Sequence, residues 1–489
     1  MNEPLGASTH GTATAAPGSG DLSTTGSGTG VNGGLAGTTV APLSDEAGTA
    51  DVGVDLSRAA STGPTGGGIG DYVRNYISRL RGGEMGSLPA ITGLVALIIL
   101  FRILRPTFTG LFNIAAMITE GSGPIFIAMG LVFVLLLGEI DLAAGYAAGV
   151  CAAVMVRLMV GYSAPWPVSV GAAMLTGIVI GLAIGVLRAK VRIPSFVVTL
   201  AFFLAFQGVA LYILNNGKGQ QGNVIVTSNF VNALTNGQMS VVGGWIFAVI
   251  CVVGYLAIKA QATLSRRRAG LAGEPLSVAG IKVAAVAVLV FGLVYLLNQD
   301  RALNKTPTIV NQNGTLVRVL PKPLEGVPWV LPIIVFFLVV WTFVLTRTRY
   351  GRHLYAVGGN EEASRRAGVR VEQIRISVFV VNSFMASIGG IMIASNVKSV
   401  SVDNYGGNTL LLAVGAAVIG GTSLFGGKGR VMDAIIGGLV VEVIYNGMAD
   451  LVKGTNGSAV QYVVTGIVLM LAAAIDALSR RRAGAAGLG

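Results

Sequence analysis

The sequence has few charged residues for its length. Only 11% of its 489 residues are Asp, Glu, Lys or Arg, whereas soluble domains contain about a quarter. Hydrophobic residues make up 53%, and the mean hydropathy is +0.73. A water-soluble fold of this size would lack the polar side chains needed to cover its surface. The composition therefore predicts a protein that is partly surrounded by lipid.

Cysteine and histidine are almost absent. Cys151 and Cys251 lie inside apolar runs with no Cys or His at zinc-site spacing, and His10 and His353 are far apart. A zinc site needs about four such ligands close together. We therefore expect no metal site, and we interpret both cysteines as small packing residues. An integral-membrane enzyme would need a His, Asp or Ser constellation, so we expect a chain without catalytic residues.

A nucleotide-binding motif is also lacking. Residues 421–429 (GTSLFGGKG) are rich in glycine around Lys428. A phosphate-binding loop, however, needs Gly where Thr422 stands and Ser or Thr where Gly429 stands. The glycine run at 66–70 follows no strand. If ATP drives this protein, a partner must bind the nucleotide.

Residues 1–70 consist mostly of Gly, Ser, Thr, Ala and Pro, with scattered Asp and Glu. Such a segment cannot bury enough apolar surface to offset its chain entropy. It also lacks the basic start and apolar core of a signal peptide. We predict a disordered, low-complexity cytoplasmic tail at 1–70 and a transmembrane domain at 71–489.

Apolar runs of about 17 to 25 residues, the length of a membrane-spanning helix, recur from Leu88 onward. The expected fold is all-α: a polytopic transmembrane helical bundle of about 10–12 spans. Glycines and a proline inside 113–138 indicate a broken helix, and 408–425 is expected to cross only partly. The predicted spans are 88–105, 113–138, 143–160, 167–188, 195–214, 243–261, 279–297, 329–346, 374–396, 408–425, 431–450 and 459–478.

The net charge of +12 comes from Lys and Arg clusters between the apolar runs. Such clusters mark cytoplasmic loops, and no basic stripe with interleaved aromatics indicates nucleic-acid binding. A cytoplasmic N-terminus places nearly all clusters inside and predicts that both termini are cytoplasmic. Arg102 and Arg105 are the exception. Two long outer loops, 215–242 and 298–328, are either solvated connectors or a docking surface.

The largest predicted cytoplasmic loop spans residues 347–375 and is strongly polar. Asn360, Glu361 and Glu362 are typical of a helix start, because acidic groups are favourable at that end of the helix dipole. Gly368 can end the helix at its C-terminus. The segment is therefore either an ordinary charged connector or a two-turn helix that enters a groove on a soluble motor.

Several segments resemble the permease subunits of ATP-binding-cassette (ABC) importers. In GNEEASRRAGV (359–369), Glu362-Ala363-Ser364 and Gly368 match the coupling-loop pattern Glu-Ala-Ala, three residues, Gly, with Ser364 in place of the second Ala. A Leu-Pro found in many permeases is missing, which is typical of the monosaccharide branch. Segments 138–146, 191–200, 418–429 and 445–448 resemble further segments of that branch, in order. The resemblance covers about 110–480.

The resemblance implies a permease that pairs with a second copy of itself or a related permease in the bacterial cytoplasmic membrane. ATP and Mg would bind to partner ATPase subunits, and an extracytoplasmic sugar-binding protein would deliver the cargo. The span at 279–297, preceded by Arg266–Arg268, resembles xylose-type members, which implies a pentose such as xylose. The residues that would couple to the ATPase are Asn360, Glu361, Glu362, Ala363, Ser364 and Gly368. The motif positions with a structural role would be Gly138, Asp141, Gly145, Pro194, Gly420 and Gly421.

Polar residues inside spans are candidates for function because burying them in a membrane is costly. Glu139 and Asp141 lie near a span end and are either a proton or cation site or, preferably, structural, with Asp141 capping the next helix. Arg157 is the one ionisable residue expected near a span middle. Residues that either line the sugar path or hold helices together are Gln207, Phe202, Phe203, Phe384, Asn382, Ser383 and Asn446.

The main alternative is a proton- or sodium-coupled secondary sugar transporter. That class has ionisable residues near the midplane and often two related halves, and the sequence shows no internal repeat. A channel is less favoured, because no selectivity-filter-like repeat is visible.

Overall fold

The computed structural model describes residue 74, residues 87–216, 222–270, 276–302, 308–312, 315–319 and 323–452, and parts of 459–474. The predicted tail at 1–70 lies outside the described residues. The helices are α1 (Leu88–Leu104), α2 (Leu111–Leu136), α3 (Ala144–Val156), α4 (Trp166–Val186), α5 (Ser195–Asn215), α6 (Asn229–Asn236), α7 (Val241–Arg268), α8 (Leu276–Leu297), α9 (Val330–Arg347), α10 (Arg349–Gly359), α11 (Glu361–Arg366), α12 (Val371–Val397), α13 (Gly407–Gly420) and α14 (Val431–Leu451).

Short irregular turns and strands complete the described elements. α3 and α4 each continue into a π-helical turn, at Arg157–Gly161 and Leu187–Val191. Strand β1 (Asn223–Ile225) pairs antiparallel with β4 (Ser399–Ser401), with Val224 opposite Val400. Strands β2 (Thr308–Gln312) and β3 (Thr315–Val319) form an antiparallel hairpin.

The expected all-α, multi-pass bundle is confirmed. Within the described residues, nine helices are long and apolar enough to cross a membrane, namely α2, α3 with its π turn, α4, α5, α7, α8, α9, α12 and α14. Helix α13 has 14 residues, about 21 Å at 1.5 Å per residue. It is too short for roughly 30 Å of hydrocarbon, as expected for 408–425.

The expectation of a broken helix at 113–138 is wrong, because α2 runs without interruption from Leu111 to Leu136 with Pro124 inside it. Proline removes one helical hydrogen bond and crowds the carbonyl four residues earlier. Tight packing outweighs this cost, since 83% of the most apolar stretch of α2 is buried. The glycines that suggested a break instead allow close approach: a Cβ on Gly123 would come within 2.3 Å of the Ile393 side chain.

The centre of the bundle is formed by α2, α3, α4 and α12. Phe126, Phe133 and Phe379 are fully buried there. By contrast, only 11% of the most apolar stretch of α7 and of α8 is buried. Large apolar side chains such as Val253 and Val288 are exposed on them. The peripheral helices therefore present lipid-compatible surfaces, and buried polar side chains lie on the inner helices, including Asn382 on α12 and Glu442 on α14.

Contacts between loops assign the helix ends to two faces of the bundle. On one face, which we call the platform, the backbone N–H of Gly427 donates to the carbonyl of Leu136 at 2.8 Å. On the opposite face, which we call the loop face, the N–H of Val226 donates to the carbonyl of Lys398 at 2.9 Å. The platform comprises residues 137–143, 187–194, 348–370 and 421–430, and the described loop face comprises 105–110, 157–165, 222–240, 298–302, 323–329 and 398–406.

Arg102 and Arg105, the exception to the charge pattern, lie where α1 ends at the loop face. Arg102 donates a hydrogen bond to the carbonyl oxygen of Pro106. This contact gives Arg102 a local role in the turn between α1 and α2.

Candidate functional site

The short helix α11 is the most exposed ordered element of the platform. The Oδ1 atom of Asn360 accepts a hydrogen bond from the N–H of Ala363 at 2.9 Å, which caps the helix. The Ser364 hydroxyl donates to the carbonyl of Asn360 at 2.8 Å and is buried. Gly368 follows the helix with φ +83°, the left-handed conformation that ends helices. The expected short helix is confirmed, with Asn360 as its cap.

Two acidic residues of α11 have different surroundings. Glu362 pairs only with Arg366 in the next turn at 3.2 Å, and both side chains are exposed. Glu361 pairs with Arg365 at 2.7 Å and, through its second oxygen, with Arg375 of α12 at 2.5 Å. Glu361 therefore connects the short helix to a long helix of the core.

Arg375 continues this connection into the bundle. Its Nε lies 3.2 Å from Glu139, in the loop between α2 and α3. Glu139 is buried and also receives the guanidinium of Arg188 through both carboxylate oxygens, at 2.8 and 2.9 Å. The chain Glu361–Arg375–Glu139–Arg188 thus links α11, α12, the α2–α3 loop and the end of α4. Because two guanidinium groups contact the Glu139 carboxylate, this geometry supports a structural role for Glu139 rather than a proton or cation site.

Asp141, two residues further on, is fully buried. Its Oδ1 accepts the N–H of Ala143 at 2.8 Å, and its Oδ2 accepts the amide of Asn382 at 2.6 Å. Asp141 therefore fixes the turn that leads into α3, although the N-cap residue is Ala143 and no side chain caps the helix. Burial raises the pKa of Asp141 to about 6, although the hydrogen bonds from Ala143 and Asn382 partly offset this rise by stabilising the ionised carboxylate.

The glycine-rich segment at 421–430 is a connection between α13 and α14 that packs on the platform. The Tyr355 hydroxyl of α10 donates to the carbonyl of Gly429 at 2.7 Å. The Asp433 carboxylate accepts the N–H of Arg430 at 2.7 Å. Gly420 approaches α14 closely, because a Cβ there would lie 1.8 Å from the carbonyl oxygen of Asp433. The segment that resembled a phosphate-binding loop is thus held by protein contacts.

The remaining motif positions are explained by the backbone. Gly138 has φ +69° at the end of α2, where a side chain would be strained. A Cβ on Gly145 would come within 2.5 Å of the carbonyl oxygen of Gly406. Pro194 precedes the first residue of α5, and Gly421, with φ +120°, follows α13.

An open cleft of ≈ 290 Å³ lies beside α11. Four arginines and two glutamates give it a mixed but mostly positive lining. Its lining residues are Arg188, Ala189, Arg192, Glu361, Arg365, Glu372 and Arg375. The platform therefore combines an exposed capped helix with an adjacent charged recess.

The residues proposed from the sequence for a sugar path do not come together in one place. Asn382 and Ser383 are fully buried in α12, and Asn382 is engaged with Asp141. Phe202 stacks on a neighbouring aromatic ring of its own helix, and Phe203 packs edge-on against Tyr146 at 4.7 Å. Neither Asn382 nor Ser383 is open to a path in this structure, because the core closes over them.

The other path candidates lie on three different helices. Gln207 is half-buried on α5, and Asn446 is half-buried on α14. Phe384, on α12, packs against Phe337 with ring centroids 6.4 Å apart. These three side chains therefore do not converge on one position.

The expected position of Arg157 is wrong. It begins the π turn that ends α3, on the loop face. Its guanidinium donates to the carbonyl of Asn216 at 2.9 Å and lies 5.7 Å from the ring centre of Tyr162. Because Arg157 lies near the end of the helix rather than in the middle of the span, its guanidinium can reach these partners on the loop face.

Two carboxyl groups that the sequence reasoning did not consider do lie at mid-span. Glu120 is the tenth residue of α2, and Glu442 the twelfth of α14. Both could have been found from the sequence, because a glutamate inside a long apolar run usually has a function. Within the described residues, no three His, Cys, Asp or Glu side chains come together as a metal site.

Comparison with known proteins places this geometry in context. A family model described as "Branched-chain amino acid transport system / permease component" matches residues 113–473. A xylose transport system permease protein of Haemophilus influenzae is 31% identical over 370 residues, 76% of this chain and 90% of the relative. A xylose transport system permease protein of Escherichia coli is 30% identical over 371 residues, 76% of this chain and 86% of the relative.

A ribose import permease protein of Escherichia coli is 28% identical over 403 residues, which is 82% of this chain and 96% of the relative. No solved structure matches the chain significantly.

Proposed function

The chain belongs to the family of transport system permease components, in the ribose and xylose branch of ABC monosaccharide permeases, and from this premise we propose that it imports a pentose such as xylose. The observation that carries the proposal is the capped, exposed helix α11 with an ionic connection to the core. A permease needs such an element to receive force from a separate motor. The names of its relatives support a monosaccharide cargo.

In this proposal, two ATPase subunits bind the platform, and ATP and Mg bind to those subunits. Each α11 enters a groove on one ATPase subunit. The residues that form or flank this coupling element are Asn360, Glu361, Glu362, Ala363, Ser364 and Gly368. Movement of α11 passes through Arg375 to α12 and through Glu139 to the α2–α3 loop, so the core helices that surround the path move with the motor.

The platform is the cytoplasmic face in this proposal. It carries Arg188, Lys190 and Arg192 at the end of α4 and the arginines of 347–375, and such clusters favour the cytoplasmic side. Both termini are then cytoplasmic, in the cytoplasmic membrane of a bacterium. A second copy of the chain, or a related permease, completes the pore, and lipid covers the apolar periphery.

The loop face receives an extracytoplasmic sugar-binding protein in this proposal. Part of that face is well ordered by Arg301, which is buried. Its guanidinium donates to the carbonyl of Leu297 at 2.7 Å, to Oε1 of Gln238 at 2.9 Å and to the carbonyl of Gly326 at 3.0 Å. A surface held in this way loses little conformational entropy when a partner docks.

One observation favours a second candidate function, a proton- or sodium-coupled carrier. Glu120 and Glu442 lie at mid-span, where coupled carriers place ionisable groups. The two functions differ in what drives uptake. The importer needs ATP and two partner proteins, whereas the carrier needs only an ion gradient.

The experiment uses proteoliposomes with the full chain, assayed for uptake of labelled xylose, ribose and glucose. Each assay is run with the chain alone and with the ATPase and binding protein from its own cells. Uptake that needs both partners and ATP supports the importer. Uptake by the chain alone, driven by a proton or sodium gradient, would refute it and establish the carrier.

A further inference from the structure

Two carboxyl groups lie at the same depth in the bundle. Glu120 is nine residues from the loop-face end of α2, and Glu442 is nine residues from the loop-face end of α14. At 1.5 Å per residue, both are about 14 Å from that face. The Cγ atom of Glu442 would lie 3.3 Å from a Cβ placed on Gly121, next to Glu120.

The two side chains differ in exposure. Glu120 is exposed on the surface of the bundle. An acidic side chain facing lipid at the centre of a membrane costs about 2.5–3.5 kcal/mol on insertion scales. Such residues therefore face protein or a water-filled cavity. The surface that carries Glu120 is accordingly not a lipid surface.

Glu442 is buried, with a relative exposure of 6%. Its Oε1 atom has no hydrogen-bond partner among the described residues. A buried polar group without a partner costs about 1–3 kcal/mol. Pro124 also has no N–H to donate to the carbonyl of Glu120. At this mid-span position, Oε1 of Glu442 therefore has no donor among the described residues, and the carbonyl of Glu120 lacks its usual helical donor.

Polar side chains continue from this position to the loop face. Glu442, Asn446 and Asp450 are spaced four residues apart on α14, so they follow one side of the helix. Asp450 accepts a hydrogen bond from the Thr107 hydroxyl at 3.3 Å, in the turn between α1 and α2. By contrast, exposed positions on α8 such as Val288 and Leu289 are apolar. The polar side of α14 therefore leads from mid-membrane to the aqueous face.

We infer that the face carrying Glu120 and Asn446 lines the water-filled translocation path, and that Glu442, buried beside Glu120 in this state, becomes accessible there during transport and accepts hydrogen bonds from the hydroxyl groups of a neutral, polyhydroxylated cargo. The cargo part of this inference rests on the proposed function. Carboxylates form strong hydrogen bonds with hydroxyl donors, which supply the donors that this site lacks. Within the described ion pairs, no Arg or Lys pairs with Glu120 or Glu442, so no described cation is present at this position to bind an anionic cargo.

The location of the face is tested with single cysteines in the full chain, after Cys151 and Cys251 are replaced by Ala. Glu120→Cys is compared with Val288→Cys, whose native side chain is 75% exposed on an apolar helix. Membrane vesicles are treated with a charged, membrane-impermeant thiosulfonate, which reacts with thiolates in water. We expect at least tenfold faster labelling at position 120. Equally slow labelling at both positions, as on a face covered by lipid or by a second copy, would overturn the inference.

The role of Glu442 is tested in the complete transporter with D-xylose as the probe. Glu442→Gln keeps a hydrogen-bond acceptor, whereas Glu442→Leu removes it. We expect Glu442→Leu to lower xylose uptake at least tenfold and Glu442→Gln to lower it less than threefold. Binding of the ATPase subunits to the complex should be unchanged in both, because α11 is intact. The melting temperature should not fall with Leu, because Oε1 loses no partner.

The outcomes separate this inference from the proposed function. Wild-type uptake of xylose together with normal uptake by Glu442→Leu would overturn the role of Glu442 alone. A parallel loss of ATPase-subunit binding and thermal stability would show a structural role and would also overturn it. A wild-type complex that imports no sugar would refute the proposed function and the cargo part with it, while the cysteine labelling still decides where the face points.

Discussion

Glu361 and Glu362 offer a matched pair of substitutions in α11, the proposed coupling helix. Both are in the first turn of α11, so both have similar interactions with the helix dipole. Both also pair with an arginine four residues later. Only Glu361 additionally contacts Arg375. The difference between Glu361→Gln and Glu362→Gln therefore isolates the contact between α11 and the core.

The expected magnitude follows from exposure. The Glu362–Arg366 side chains are 64% and 79% exposed, and an exposed pair at this spacing contributes about 0.3–0.5 kcal/mol. Arg375 is 13% exposed and Glu361 37%. A charged hydrogen bond contributes about 1.5–3 kcal/mol, which partial exposure reduces to about 1–2. Since about 1.4 kcal/mol is a factor of ten, Glu361→Gln should increase local opening of α11 about tenfold, and Glu362→Gln about twofold.

The assay is hydrogen exchange of the full chain in nanodiscs, read from peptides that cover 358–370. The informative amides are those of Ser364 and Ala367, which donate to carbonyls within the helix. We expect about tenfold faster exchange in Glu361→Gln and about twofold in Glu362→Gln. In the reconstituted transporter, sugar uptake should fall more for Glu361→Gln. Equal exchange in the two variants would refute the reasoning, because the Arg375 contact would then not hold α11.

Three further predictions concern the core. Burial raises the pKa of Asp141 to about 6, above its ordinary 3.8. Burying the ionised carboxylate lowers the free energy of unfolding above about pH 6, and this penalty disappears as the pH falls toward about 4, where the carboxyl is protonated in both states. Asp141→Asn should therefore remove this contribution to the pH dependence of the melting temperature. Asn382→Ala leaves a buried carboxylate without its donor, so it should lower the free energy of unfolding by about 2 kcal/mol and the melting temperature with it. Ser383→Ala should have little effect, because that hydroxyl has no partner among the described residues. Gly420→Ala should reduce the folded yield, because its Cβ would lie 1.8 Å from a carbonyl oxygen of α14. Gly171→Ala is the control and should not reduce it, because a Cβ there has nothing within 4 Å. Thermal-shift and fluorescence size-exclusion measurements check all three predictions.

The fold class was available from the sequence because a membrane imposes strong local constraints. A helix must satisfy its own backbone groups across about 30 Å of hydrocarbon, so the apolar runs predicted the spans closely, as for α5 and α14. The start of α11 was equally local, because Asn360 caps its own helix. The expectation that α2 is interrupted was wrong, because close packing of α2 against α12 at its glycines outweighed the local effect of Pro124.

The sequence by itself thus determined the class, most of the spans, the family and the short helix α11, because these depend on residues close together in the chain. Only the tertiary structure decided which polar groups meet. Glu139 is paired with arginines from α4 and α12, and Asn382 is 241 residues from its partner Asp141. The mid-membrane proximity of Glu120 and Glu442 likewise depends on how α2 packs against α14. Such contacts are set by helix packing across hundreds of residues, which no local pattern encodes.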